Sequence, residues 1–192
     1  MHKLFTWCLC LFTFIMAGLY MYETFCKPKP VFCATFEYNA REMIPYLNPM
    51  IEPAIAKIIG DAVDDLSAIH GLDKKIVLAV IQRESSFRPY KASNKDCVGL
   101  MMINYKSPCH KKRIEKRNLT YAELFYCYNN IDLGCEILAE NLQVCKGNIG
   151  KALQMYVGPK HKTYVADVLS IYWDLEKRFG EGKILTSSHA TE

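Results

Sequence analysis

No Cys-x-x-Cys pair occurs in this chain, although it carries nine cysteines. A zinc ribbon or a thioredoxin-like redox site is therefore left without its usual spacing. No segment repeats itself, and no alternating apolar–polar pattern runs for more than a few residues, which argues against an extended β architecture. Charge of one sign is also scarce, with a net charge of only +4. That mild basicity suits an anionic polymer as partner but is too weak to indicate nucleic acid. Apolar material is not scarce. Hydrophobic residues make up 51% of the chain and aromatics 12%, which supports a real core and argues against wholesale disorder. The 192 residues leave room for one ordinary domain plus an appendage.

The appendage is marked by another absence, since no charge falls between Leu4 and Tyr22. As a helix this run spans roughly 29 Å at ~1.5 Å per residue, close to the hydrocarbon thickness of a bilayer. Trp7, Tyr20 and Tyr22 lie near its ends, where amphipathic rings favour the membrane interface. A cleaved signal segment is the rival, because Ala17 and Gly18 are small. The run continues past them without a clean small-x-small site, however, and its length favours an anchor. Residues 1–24 are expected to be an N-terminal membrane anchor or signal segment, with residues 4–22 in the membrane. Lys3 on one flank and Lys27 and Lys29 on the other leave its orientation open.

Residues 25–50 hold Pro28, Pro30, Pro45 and Pro49 among mixed charges and read as a linker or arm. From 51 to 182 the signal is helical almost throughout. "EPAIAKIIGDAVDDLSAIHG" places Ile55, Ile58, Ile59, Ala62, Val63, Leu66 and Ile69 at spacings of three and four. Gly71 suits a C-cap and Asp73 the N-cap of the next helix. Thr120 and Glu123 have capping-box spacing. "NIDLGCEILAENLQVC" carries Ile131, Cys135, Leu138 and Leu142 on one stripe. Residues 183–192 read as a flexible tail. The expected fold is a mostly α domain behind a membrane helix.

Cys8 and Cys10 lie in the apolar run and Cys26 just beyond it, which leaves Cys33, Cys97, Cys109, Cys127, Cys135 and Cys145 in the body. An even set in an exported chain suggests disulfides in an oxidising space. Nothing in the sequence chooses among the pairings. Buried free thiols are the alternative reading.

One carboxylate stands out. Val77, Val80, Ile81 and Glu84 fall at i, i+3, i+4 and i+7, so Glu84 continues a core-facing stripe instead of a wet face. If the helix ends near Ser85 or Ser86, partial burial and the negative end of the helix dipole both disfavour the ionised form. A carboxyl raised in this way can hold its proton near neutrality and serve as a general acid. A glutamate fraying into solvent is the bland alternative.

The stretch "ESSFRPYKASNKDCVGLMMIN" resembles the signature of lytic transglycosylases with a goose-lysozyme-like catalytic domain. The match runs without gaps through Glu84, Phe87, Pro89, Ser93, Gly99, Leu100 and Met101. "NNIDLGCEIL" resembles the family's Asn-Ile-x-x-Gly block at Asn130, Ile131 and Gly134, and "ALQMYVGPKHKTYVADVL" its tyrosine region at Tyr156. The resemblance covers roughly residues 74–172 and implies a lysozyme-like helical fold. It further implies cleavage of the bond between N-acetylmuramic acid and N-acetylglucosamine, with Glu84 as sole acid and base and no cofactor or metal. The sugar's own C6 hydroxyl would then close a 1,6-anhydro ring. A hydrolytic muramidase and a non-catalytic glycan-binding scaffold are the alternatives.

By the same resemblance Glu84 follows the core stripe in a Glu-Ser pair with Ser85, and Ser93 hydrogen-bonds substrate. Met101 and the Gly99 backbone form the cleft wall, Tyr156 reaches the carboxylate, and Asn130 caps a helix. Met102 stands where the family usually has glutamine, and Val157 where it has asparagine, which puts substrate preference in question. The implied partner is peptidoglycan and the implied place the bacterial envelope, anchored with the domain in the periplasm or outside. A secretion or conjugation assembly follows by analogy only. The basic run "HKKRIEKR" fits either attraction to an anionic polymer or a solvated helix face.

Overall fold

The computed structural model describes residues 38–180, all within one compact unit, Phe36–Gly182. The apolar run, Cys33 and the tail lie outside the described residues. Helix α1 spans Ala40–Leu47, α2 Pro53–His70 and α3 Lys74–Ser85. Strands β1 (Cys97–Val98) and β2 (Ile103–Asn104) form a short antiparallel pair, with Cys97 opposite Asn104 and Val98 opposite Ile103. Then follow α4 (Pro108–Lys116), a 3₁₀ turn (Ala122–Phe125), α5 (Cys127–Val144), α6 (Ile149–Val157) and α7 (Tyr164–Phe179).

The centre is α3. Val77, Leu78, Ala79, Val80 and Ile81 are all fully buried, the pattern of a helix covered all round. It packs against α1, α2 and α7, while α5 lies on α2 and α6 bridges α5 and α7. Local signals set the ends of these helices. Gly71 is left-handed (φ 64°) and closes α2, as a C-cap position requires. The Asp73 carboxylate accepts from the Lys75 N–H at 2.8 Å and opens α3, and Asn148 does the same for α6 through Lys151. The Thr120–Glu123 capping box forms reciprocally, but ahead of the 3₁₀ turn instead of a long helix.

Several expectations need correction. Residues 40–47, read as part of an arm, form a helix that buries Met43 and Ile44. The inner stripe of α2 is Ala56, Ile59, Ala62, Val63 and Leu66, whereas Ile58 and Ile69 are 57% and 68% exposed. A wide apolar stripe overcounts because alanines share the inner face.

The basic run forms α4, and two of its arginines are laid along α5. Arg117 meets Asp132 at 3.1 Å and Glu136 at 2.7 Å, and Arg113 pairs with Glu140. His70 reaches Asp132 from the end of α2 at 2.7 Å. Acids at i, i+4 and i+8 of α5 thus face Arg113 within α4 and Arg117 at its C-cap.

The disulfide expectation is not met among the described residues, where Cys97, Cys109, Cys127, Cys135 and Cys145 are all free. Three of the five sit on or at the end of α5, spaced by eight and ten residues. At ~1.5 Å rise those separations far exceed the reach of a disulfide. No described helix is long and apolar enough to cross a membrane, and the run that suggested an anchor lies outside the described residues.

Candidate active site

Glu84 is one residue from the end of α3, where the buried stripe meets a cleft of about 610 Å³. The chain turns sharply there. Ser86 and Phe87 both have positive φ (52° and 59°), a conformation that costs non-glycine residues energy and needs support from packing. Phe87 is anchored in the core, and the Ser85 hydroxyl, fully buried, donates to the Ile81 carbonyl at 3.0 Å. The Lys91 ammonium donates to the Glu84 carbonyl, which ties the following loop to the helix end.

Burial pushes the Glu84 carboxyl above the ordinary glutamate range; a hydrogen bond from Tyr164 and the charges of Arg83, Lys91 and His161 oppose that rise. The Tyr164 hydroxyl donates to Glu84 Oε1 at 2.7 Å. Tyr164, itself buried, is held far above the usual phenol range by that burial and then by the neighbouring carboxylate, so it remains a donor. Among the described residues Glu84 is the only carboxylate lining the cleft.

Tyr156, expected to reach the carboxylate, instead donates to the Met101 carbonyl at 2.8 Å. Asn130 is not a helix cap either. It sits fully buried inside α5, where its Oδ1 accepts from the Met101 N–H at 2.7 Å and its Nδ2 donates to the Val98 and Leu124 carbonyls. Both sides of the Met101 residue are therefore fixed by side chains. One turn on, Gly134 leaves space that Met101 fills, and a Cβ there would overlap the Met101 side chain. Gly99 (φ 82°) lies against Asn130 in the same way. The Asn-x-x-x-Gly spacing thus puts a clamp and a hollow on one face of α5 to seat the Gly99–Met101 turn.

That turn decides which residues face the cleft. Met101 and Gly99 are buried behind the wall instead of forming it. Met102, with φ 49°, points outward and lines the cleft, as do Ser93 and Val157. The Ser93 hydroxyl accepts from the Lys95 and Cys97 N–H groups at 3.2 and 3.3 Å, and its own O–H faces the Cys97 sulfur. The apolar side of the cleft is Met102, Ile137, Met155 and Val157; Arg83, Lys95, Arg113, His110 and His161 bring basic groups. Burial lowers His110, which favours its neutral form. Among the described residues no cluster of His, Cys, Asp or Glu is arranged to hold a metal ion.

Tyr164 and the brace formed by Asn130 and Tyr156 escaped the sequence reading. The Tyr164 contact spans 80 positions, and tyrosines on an amphipathic helix look alike until the helix is docked.

Residues 61–163 match the family described as "Transglycosylase SLT domain". Two curated relatives are each called "Membrane-bound lytic murein transglycosylase C". The protein from Salmonella arizonae is 38% identical over 90 residues, 43% of this chain and 24% of the relative. That from Sodalis glossinidius is 37% identical over 73 residues, 36% of this chain and 20% of the relative. The chain therefore aligns with only a fifth to a quarter of their length. Among solved structures, an inactive mutant of lytic transglycosylase Slt from Pseudomonas aeruginosa has the same fold at a TM-score of 0.56. It is 18% identical, and the likeness covers 76% of this chain and 31% of that one.

Proposed function

From the premise that the chain belongs to the transglycosylase SLT domain family, we propose that it is a lytic transglycosylase of peptidoglycan. The bond cut is the β-1,4 linkage between N-acetylmuramic acid and N-acetylglucosamine. The observation that carries this reading is a single protonatable carboxyl, Glu84, held by Tyr164 in a cleft where no second carboxylate lies among the described residues. Glycosidases of the usual kind need two such groups. One suffices if the attacking group is carried by the substrate.

Glu84 in its protonated form donates to the glycosidic oxygen as the C1–O bond breaks. The resulting carboxylate then accepts the proton of the C6 hydroxyl, whose oxygen bonds C1 and closes a 1,6-anhydro ring. The proton returns to Glu84 and no water is consumed. Ser93 hydrogen-bonds the bound sugar, while Met102 and Val157 offer it apolar contact. Ser85 and the Asn130–Tyr156 brace position the walls. Residues 4–22 would hold the domain at the envelope membrane, and cleavage there would open the wall locally.

Mass spectrometry of digested peptidoglycan tests this. Anhydro ends, lost in Glu84→Gln, are expected. Reducing ends would assign a muramidase, and wall binding without any cut would assign a scaffold.

A further inference from the structure

A row of aromatic rings lies outside the cleft, on the same loop system. Tyr105 contacts Tyr121 with ring centroids 4.7 Å apart, Tyr121 contacts Phe125 at 5.4 Å, and Phe125 stacks with Tyr90 at 6.3 Å. The row joins the loop after α3, the β-hairpin and the 3₁₀ turn. Two of its rings are open to solvent: Tyr90, at one end, is 81% exposed and Tyr121, within the row, 49%.

Within the row the Tyr105 hydroxyl donates to the Asp96 carboxylate, as the hydroxyls of Tyr46, Tyr156, Tyr164 and Tyr172 donate to partners elsewhere. Those of Tyr90 and Tyr121 have none among the described residues. Edge-to-face contacts among Tyr105, Tyr121 and Phe125, with Tyr90 stacked on Phe125, order the rings in advance, so a ligand that stacks on them loses little side-chain freedom.

We propose that Tyr90, Phe125, Tyr121 and Tyr105 form a second saccharide-binding surface, which holds a glycan strand of peptidoglycan beside the cleft. Sugar rings present C–H faces to aromatic faces and hydroxyls to phenols, and this row offers both. The surface is continuous with the cleft: Asn104 and Ser107 line the cleft, while Tyr105 between them turns its ring to the row. Lys106, with its ammonium 5.6 Å from the Tyr105 ring centre, is paired with the Asp96 carboxylate at 3.0 Å and so braces the Tyr105 end of the row. The choice of glycan rests on the reading of the cleft as a glycan site.

The test is co-sedimentation of the full chain carrying Glu84→Gln, which cannot cut, with insoluble peptidoglycan. Adding Tyr90→Ala and Tyr121→Ala is expected to weaken binding about tenfold, given the stacking contribution of each ring. Tyr90→Phe with Tyr121→Phe should retain most of the binding, and all variants should melt alike. Unchanged sedimentation of the alanine variant overturns the proposal. So does loss of self-association or protein binding with sedimentation intact, which would assign a protein interface. Failure of the wild type to produce anhydro ends would defeat the catalytic reading and leave this binding result standing.

Discussion

The Tyr164 hydroxyl and Glu84 Oε1 lie 2.7 Å apart, joined across 80 positions of chain and half-buried where α3 and α7 meet. Burial raises the carboxyl while the phenol opposes it, so the pair sets both the orientation of the acid and the pH at which it holds its proton.

Tyr164→Phe removes the donor and keeps the ring. Turnover is expected to fall about tenfold, equivalent to ~1.4 kcal/mol of lost orientation. With the carboxylate less stabilised, Glu84 should hold its proton to higher pH. The alkaline limb of the pH–rate profile, where the acid is lost, should therefore move upward. A lower rate with an unmoved limb would mean that the tyrosine only packs.

Glu84→Gln should change stability in a pH-dependent way. The carboxyl is raised in the folded state, so between the ordinary glutamate range and the raised value the folded protein binds more protons than the unfolded one. Wild-type stability then falls as pH rises through that window and levels off above it. Glutamine has no such dependence. The melting-temperature advantage of the variant should be small in the ordinary glutamate range, near pH ~4, and grow as the pH rises above it. An advantage constant with pH would contradict the burial of this acid.

Much of the frame was legible because it follows from local rules. The stripe that ends at Glu84, the Gly71 and Asp73 caps and the Thr120–Glu123 box are all written within a turn or two of helix, and all four features are present. What escaped is what only docking creates. Asn130 has the chemistry of a cap but lies buried within α5, and its partners at Met101 and Val98 are 29 and 32 residues away. Met101 reads as a wall residue until the hollow at Gly134 draws it inward. Arg113 and Arg117 read as part of a run suited to an anionic polymer or to a solvated face because their acids lie on another helix. Pairing of the cysteines was inferred from their even number and the expected compartment, neither of which depends on the distances between them.

Asn130→Ala should be among the most damaging single changes. It strands the Met101 N–H and the Val98 and Leu124 carbonyls in a buried site. At ~1–3 kcal/mol for each unsatisfied group, the loss is expected to be at least ~3 kcal/mol in urea denaturation. Asn130→Asp preserves shape and keeps the acceptor for Met101, but it has no donor for the two carbonyls. It should therefore also destabilise strongly. A loss below ~1 kcal/mol in both variants would show that water replaces the amide.

The described cysteines give a graded reactivity to thiol reagents. Cys109 is exposed and free, whereas Cys135 is fully buried and its thiol is pushed up to about 12 by burial. The thiolate is the reacting species, so exposure and ionisation act together against Cys135. In native protein without reductant, brief alkylation at neutral pH should label Cys109 first and leave Cys135 unmodified until denaturant is added. Burial also raises Cys97 and Cys127, which should react more slowly than Cys109. Peptide mapping by mass spectrometry reads each site separately. A Cys109 that resists the reagent until reductant is added would mean that it is oxidised in the folded protein, and early labelling of Cys135 would mean that α5 opens well below the unfolding transition.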